Sequence, residues 1–176
     1  MQRFSLIFNA IFKKKRYLII IILLINVYIL PANVMIPVKD ASAKDWNPKT
    51  FWHEPWGASI VHKGIDIFAK KGQPVLAATN GITIFQGNIK RGGHIIIMLD
   101  RSLRLHYYAH LSEASHAPLI AFQGEPIGFV SNTGNAKGKP AHLHYSVFSI
   151  FPHPWRIDSS THGWKKMFYL NPQDLF

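Results

Sequence analysis

HIIIMLDRSLRLHYYAHL, residues 94–111, decides the fold. It holds two runs of β-branched, aliphatic and aromatic residues, HIIIMLD (94–100) and LRLHYYAHL (103–111). Such residues suit a pleated, half-buried surface, so both runs read as strands. The same texture continues on either side, in VHKGIDIFA (61–69), QPVLAAT (73–79), GITIFQG (81–87), PIGFVS (126–131) and HLHYSVF (142–148). Clusters of Gly, Pro, Asn, Asp and Lys interrupt the runs about every ten residues, and nothing after residue 38 keeps a helical period for more than about two turns. The pattern predicts an antiparallel all-β domain. The tail, residues 149–176, is aromatic and broken by prolines, and is expected to wrap the sheet rather than form a second domain.

The first residues differ in kind. Lys13-Lys14-Lys15-Arg16 precede the almost wholly apolar YLIIIILLINVYIL at 17–30. A spanning helix needs about 20 apolar residues, a length reached only if the run extends to about Pro37. The expectation is a basic cytoplasmic segment (1–16), a hydrophobic helix acting as signal anchor or signal peptide (17–37), a linker (38–50) and one domain (51–176). Ala41-Ser42-Ala43 lies too far beyond Leu30 for a well-placed cleavage site, which favours the anchor. The domain would then lie outside the cytoplasm, membrane-anchored, or secreted if the segment is cleaved.

Charge and cysteine count narrow the partners. Of 20 Lys and Arg residues five precede the apolar run, whereas all 9 acids follow it, so fifteen cations against nine acids leave the exported part at +6. A mildly basic exported domain is drawn to anionic polymers, and no nucleic-acid partner is expected where export delivers it. The chain has no cysteine, which excludes a disulfide framework and a thiolate-bound zinc site.

Five residues could carry chemistry: His62-x-x-x-Asp66, then His110, then His142-x-His144. Together they offer three ligands for a borderline metal and two spare imidazoles, as a hydrolytic zinc site requires. In a strand His142 and His144 share a face, and so do His62 and Asp66 if their segment is extended, as Gly64 and the β-branched Ile65 and Ile67 suggest. Alternation likewise sets His106, Tyr108 and His110 on one face of their strand, opposite Leu105, Tyr107 and Ala109. Taken singly each element has a bland reading, a surface pair or a strand-end histidine; their joint occurrence is what points to a site.

The motifs HKGIDIFAKKGQPVLAATNGITIF, YYAHLS, GEPIGFVSNTG, HLHYSVF and LNPQDLF, running from about Trp56 to Phe176, resemble those of the M23 family of zinc metallopeptidases, the lysostaphin- and LytM-like peptidoglycan endopeptidases. The resemblance implies an open groove, Zn2+ held by His62, Asp66 and His144, and unligated catalytic imidazoles at His110 and His142. It also implies peptidoglycan stems or cross-bridges as substrate. Departures lie at Ser146, where an acid is frequent, at His94, and in the Lys-bearing stretch before His142; none touches the five central positions. Tyr108 is a further candidate for oxyanion contact, and Trp52 and Trp56 for the groove wall. His94 and His106 are weighed as groove-facing, whereas His53, His116, His153 and His162, with the pairs Lys70-Lys71 and Lys90-Arg91, read as solvated surface. Two rivals are a non-catalytic M23-like regulator that activates cell-wall amidases, and a biotinyl- or lipoyl-type binding module.

Overall fold

A computed structural model of the chain describes residues 13–22 and 33–176. Residues 13–22 are helical and exposed, and among the described residues no helix is long and apolar enough to cross a membrane. The expected hydrophobic helix at 17–37 is therefore not established: its residues 23–32 lie outside the described ones, as do residues 1–12 of the basic segment.

The unit Asn33–Phe176 is mostly antiparallel β-structure. Its strands are β1 (Ile65–Phe68), β2 (Pro74–Leu76), β3 (Gly81–Ile89), β4 (Gly93–Asp100), β5 (Arg104–Leu111), β6 (Ile120–Ala121), β7 (Pro126–Phe129), β8 (His142–Ser149) and β9 (Tyr169–Leu170). A seven-stranded sheet runs in the order β1-β8-β5-β4-β3-β6, with β9 pairing the far end of β8, and β2 and β7 form a small second sheet. Short 3-10 turns supply the only other regular elements among the described residues of this unit.

Register assigns the two faces of the large sheet. Ile65, Tyr145, Tyr108 and Ile96 are successive cross-strand partners, and all are fully buried. With Ile67, Leu143, Val147 and Met98 they form the back face, and Val75, Ala77, Ile127 and Val130 in and around the small sheet are buried as well. The Tyr108 hydroxyl accepts the Ala78 amide at 2.9 Å and ties the two layers together. Burying this apolar surface is the main favourable term, at roughly 25 cal/mol per Å² removed from water.

The quoted stretch forms the hairpin β4–β5. The Asp100 carboxylate caps its turn, accepting the amides of Ser102 (2.8 Å) and Arg104 (2.9 Å) and pairing with the Arg104 guanidinium at 2.7 Å. An Asp side chain that bonds amides just ahead of it is a common means of closing such a turn. Inside, His106 is fully buried, with Nδ1 2.6 Å from the Tyr145 hydroxyl and Nε2 3.2 Å from Asp100 Oδ2.

Residues 33–50, expected as the end of the apolar segment and a linker, pack along the domain. Val34, Val38 and Trp46 are buried, the Met35 amide donates to Ala78 O at 2.8 Å, and Val38 bridges Val75. The tail does wrap the sheet, with Phe176 stacked on Tyr145 at 6.2 Å between centroids.

Candidate metal centre and groove

The front face of the sheet carries the site. Asp66 lies directly across from His144 on the β1–β8 ladder, and Ala109 is the partner of His144 on the other side. His62 arrives from the loop before β1, brought close by Gly64, where any Cβ would collide with the Tyr145 carbonyl. Asp66 Oδ1 is 2.8 Å from His144 Nδ1 and 3.1 Å from His62 Nε2, and the two imidazole nitrogens are 3.0 Å apart. Among the described residues, His62, Asp66 and His144 form a group able to hold a metal ion.

Those atoms suit a cation. His62 Nδ1 donates to the Thr50 carbonyl at 3.0 Å, which leaves Nε2 as a lone-pair donor pointing into the cluster. Nitrogen and oxygen ligands of a tetrahedral zinc ion stand about 3.3 Å apart, close to the separations found. Burial pushes the Asp66 carboxyl up, but its contacts with the His144 and His62 imidazoles outweigh it and hold the group well below the usual carboxylate range. Burial also lowers the His144 pKa, against the pull of Asp66. The pair is thus a carboxylate beside a neutral imidazole at neutral pH, the protonation state that a metal ligand needs.

Two more imidazoles flank the trio. His142 Nδ1 donates to Pro140 O and His110 Nδ1 to Thr133 O, each at 2.9 Å, so in either neutral ring Nε2 is the nitrogen that carries the lone pair. His142 Nε2 is 3.9 Å from Asp66 Oδ2, and the His110 and His142 rings are 5.0 Å apart. Burial, then the neighbouring His144 and His142, drive the His110 pKa down to about 4. The structure therefore brings together all five residues singled out by motif.

His110 reaches this face by a route that strand alternation does not predict. Alternation groups it with His106 and Tyr108, which point into the core. A β-bulge corrects that expectation: the β4–β5 register slips between His94 and Ile96, and His110 adopts a left-handed backbone at φ 63°. The extra residue turns the His110 ring to the front, and its amide donates to Gly92 O at 2.8 Å.

A groove of about 760 Å³ runs over this face, lined among others by His62, His110, His144, Trp56 and Tyr107, and a hollow of about 330 Å³ reaches Asp66 and His142. Trp56 stacks on His62 at 4.0 Å between centroids, whereas Trp52 is buried and donates its indole N–H to Thr161 O. Tyr108, weighed for oxyanion contact, is buried behind the sheet. Its neighbour Tyr107 lines the groove instead, its phenol pushed up to about 12 by burial. No sequence signal separates the two tyrosines, because alternation alone does not say which face is the core. His106 lies in the core, and His94 turns its Nε2 to Ser115 O at 3.0 Å rather than into the groove.

Comparison with known proteins agrees with this arrangement. The profile of peptidase family M23 matches residues 60–153. A DD-carboxypeptidase/endopeptidase, Mpg, of Neisseria meningitidis is 39% identical over 87 residues, 49% of this chain and 20% of the relative. The murein hydrolase activator NlpD of Escherichia coli is 33% identical over 101 residues, 53% of this chain and 25% of the relative. The matches thus span a quarter or less of these relatives' own length. A crystal structure of a glycyl-glycine endopeptidase lytM from Ruminococcus gnavus superposes with a TM-score of 0.56 at 21% identity, over 82% of this chain and 58% of that one, and shares the fold.

Proposed function

Because this chain belongs to peptidase family M23, we propose that it is a zinc-dependent endopeptidase that hydrolyses peptide cross-links of bacterial peptidoglycan. One observation carries the reading: His62 Nε2, Asp66 Oδ1 and His144 Nδ1 converge within 3.1 Å of one another, with two further imidazoles beside them on a groove. Zn2+ held by these atoms would supply Lewis acidity, polarising a carbonyl and bringing the ionisation of a water towards neutral pH.

The chain's own groups do the rest. The unprotonated Nε2 atoms of His110 and His142 can accept a proton from a water in the groove, and the resulting imidazolium can pass it to the leaving amine. Tyr107 keeps its O–H at neutral pH and can donate it to an oxyanion developing on the substrate carbonyl. The groove lets an extended peptide lie across β8 and β5 past these groups. Such a substrate lies outside the cytoplasm, and residues 17–37 are the segment proposed to anchor the domain there. Release of the protein from membranes by deletion of residues 17–30 tests that assignment, and unchanged partitioning would end it.

A second reading, a non-catalytic activator of wall hydrolases, draws on the likeness to the murein hydrolase activator. The presence here of all five central residues favours hydrolysis. The deciding experiment measures zinc content and release of fragments from purified peptidoglycan by the full chain and its His144→Ala variant. One zinc per wild-type chain, with fragments from the wild type alone, is expected. Bound zinc without any cleavage would overturn the endopeptidase reading in favour of the activator.

A further inference from the structure

Among the described residues no acid other than Asp66 lines the groove or the adjoining hollow, whereas Lys63, Arg91 and Lys139 do. Each of these cations stands one residue from something that holds a site histidine. Lys63 follows His62 directly. Arg91 precedes Gly92, whose carbonyl receives the His110 amide at 2.8 Å. Lys139 precedes Pro140, whose carbonyl receives His142 Nδ1 at 2.9 Å. All three cations thus line the groove that His62, His110 and His144 share.

They are also uncompensated. Among the described residues the ion pairs made by Lys or Arg are Arg104–Asp100 and Lys166–Asp158, so none of the three is in an ion pair. The Lys63 ammonium donates to Ser59 O at 2.9 Å and to Val61 O at 3.4 Å, which fixes its position without neutralising it and leaves one of its three donors free. Arg91 is held through its backbone, its carbonyl accepting the Asn135 amide at 2.9 Å. A concave site with fixed cations and low-dielectric walls concentrates anions and raises their encounter rate.

We propose that this groove selects peptides that carry free carboxylates next to the scissile bond, with Arg91, Lys139 and Lys63 as the groups that read them. The proposal rests on the endopeptidase reading and names its substrate class: an acidic stem peptide rather than an uncharged oligoglycine bridge. Guanidinium and ammonium groups that line the same groove can engage the carboxylates of a peptide bound there.

The test uses the full chain and two soluble stem peptides of one sequence, with carboxylates free in one and converted to carboxamides in the other. Binding is measured by calorimetry at low and high salt for the wild type, Arg91→Gln, Lys139→Gln and the double variant. The free acid is expected to bind about tenfold tighter than the amide at low salt. The advantage should shrink as salt screens the charges and fall towards one in the double variant. Equal binding of the two peptides, no binding of either, an advantage untouched by the double substitution, or an oligoglycine bound as well as the acid would each overturn the proposal. Cleavage is scored separately: a binding preference without hydrolysis supports the carboxylate selectivity and tells against the endopeptidase reading alone.

Discussion

Asp66 and His144 are direct register partners on adjacent antiparallel strands, with Oδ1 of the one 2.8 Å from Nδ1 of the other. Two of three candidate ligands, 78 residues apart in sequence, are therefore aligned by the backbone ladder itself. Ile65 and Ile67 on one side, with Tyr145 and Leu143 on the other, lock that ladder from behind by burial. A one-residue slip of β1 against β8 would turn Asp66 into the core and away from His144.

Replacing Asp66 by Asn keeps the shape of the side chain and removes the trio's only negative charge. Zinc affinity should fall by roughly tenfold or more, with activity lost in proportion. Zinc titration of the purified variant checks this, and unchanged stoichiometry with unchanged activity would remove Asp66 from the ligand set.

The role proposed for His110 is proton transfer and not metal binding. His110→Ala should lower kcat by about 10²–10⁴-fold while zinc content stays at the wild-type level. Its folded pKa of about 4 lies below the ordinary 6.5 because burial disfavours the charged ring. The unfolded chain therefore takes up this proton at a pH where the folded chain does not. Metal-free protein should lose stability as pH falls from about 6.5 to about 4, and the alanine variant should lose less over that window. Denaturant titrations across the range measure the difference; identical slopes would contradict it.

Tyr107 and Tyr108 separate function from folding within one dipeptide. Tyr107→Phe should reduce kcat by about tenfold and leave the denaturation midpoint unchanged, because Tyr107 lines the groove rather than the core. Tyr108→Phe leaves the Ala78 amide without its acceptor and should cost about 1–2 kcal/mol of stability, with kcat per folded molecule retained. The opposite pattern would mean that the two faces of β5 are exchanged.

Gly64→Ala places a methyl group against the Tyr145 carbonyl and close to the His144 ring, whose Cε1 would lie at 3.1 Å. The backbone must withdraw, carrying His62 away from Asp66. A stability loss of about 1–3 kcal/mol together with weakened zinc binding is expected. Full zinc affinity in this variant would show that the loop before β1 adapts without moving its ligand.

His106→Leu leaves the buried Tyr145 hydroxyl without its partner and takes one contact from Asp100. We expect a loss of about 1–3 kcal/mol, read from the denaturant midpoint, with zinc stoichiometry unchanged. Lost zinc binding in a chain that still folds would mean that this core network positions His144 through Tyr145.

Much was legible in the chain before its structure. Runs such as HIIIMLD and HLHYSVF carry β-branched and aromatic residues that favour strands locally, so the all-β reading needed no long-range information. His142 and His144 share a face because strand period is two. Ordered motifs from His62 to His144 pointed to a peptidase family, which the matched residues 60–153 bear out. What misled was periodicity carried through an irregularity. Alternation groups His110 with His106 and Tyr108 and so offers Tyr108 for oxyanion contact, because a bulge leaves no mark in the order of residues.

Residue type and local spacing suffice for the strands, the family and the five candidate site residues. Which face each side chain occupies, and which residues meet, follows from packing of the whole domain. Cross-strand register set Asp66 against His144, the bulge turned His110 forward, and loop packing drew Lys63, Arg91 and Lys139 around the groove. The physical reason is that register and loop placement minimise the free energy of the whole domain, through burial of the back face and satisfaction of backbone hydrogen bonds, and no short segment contains that sum.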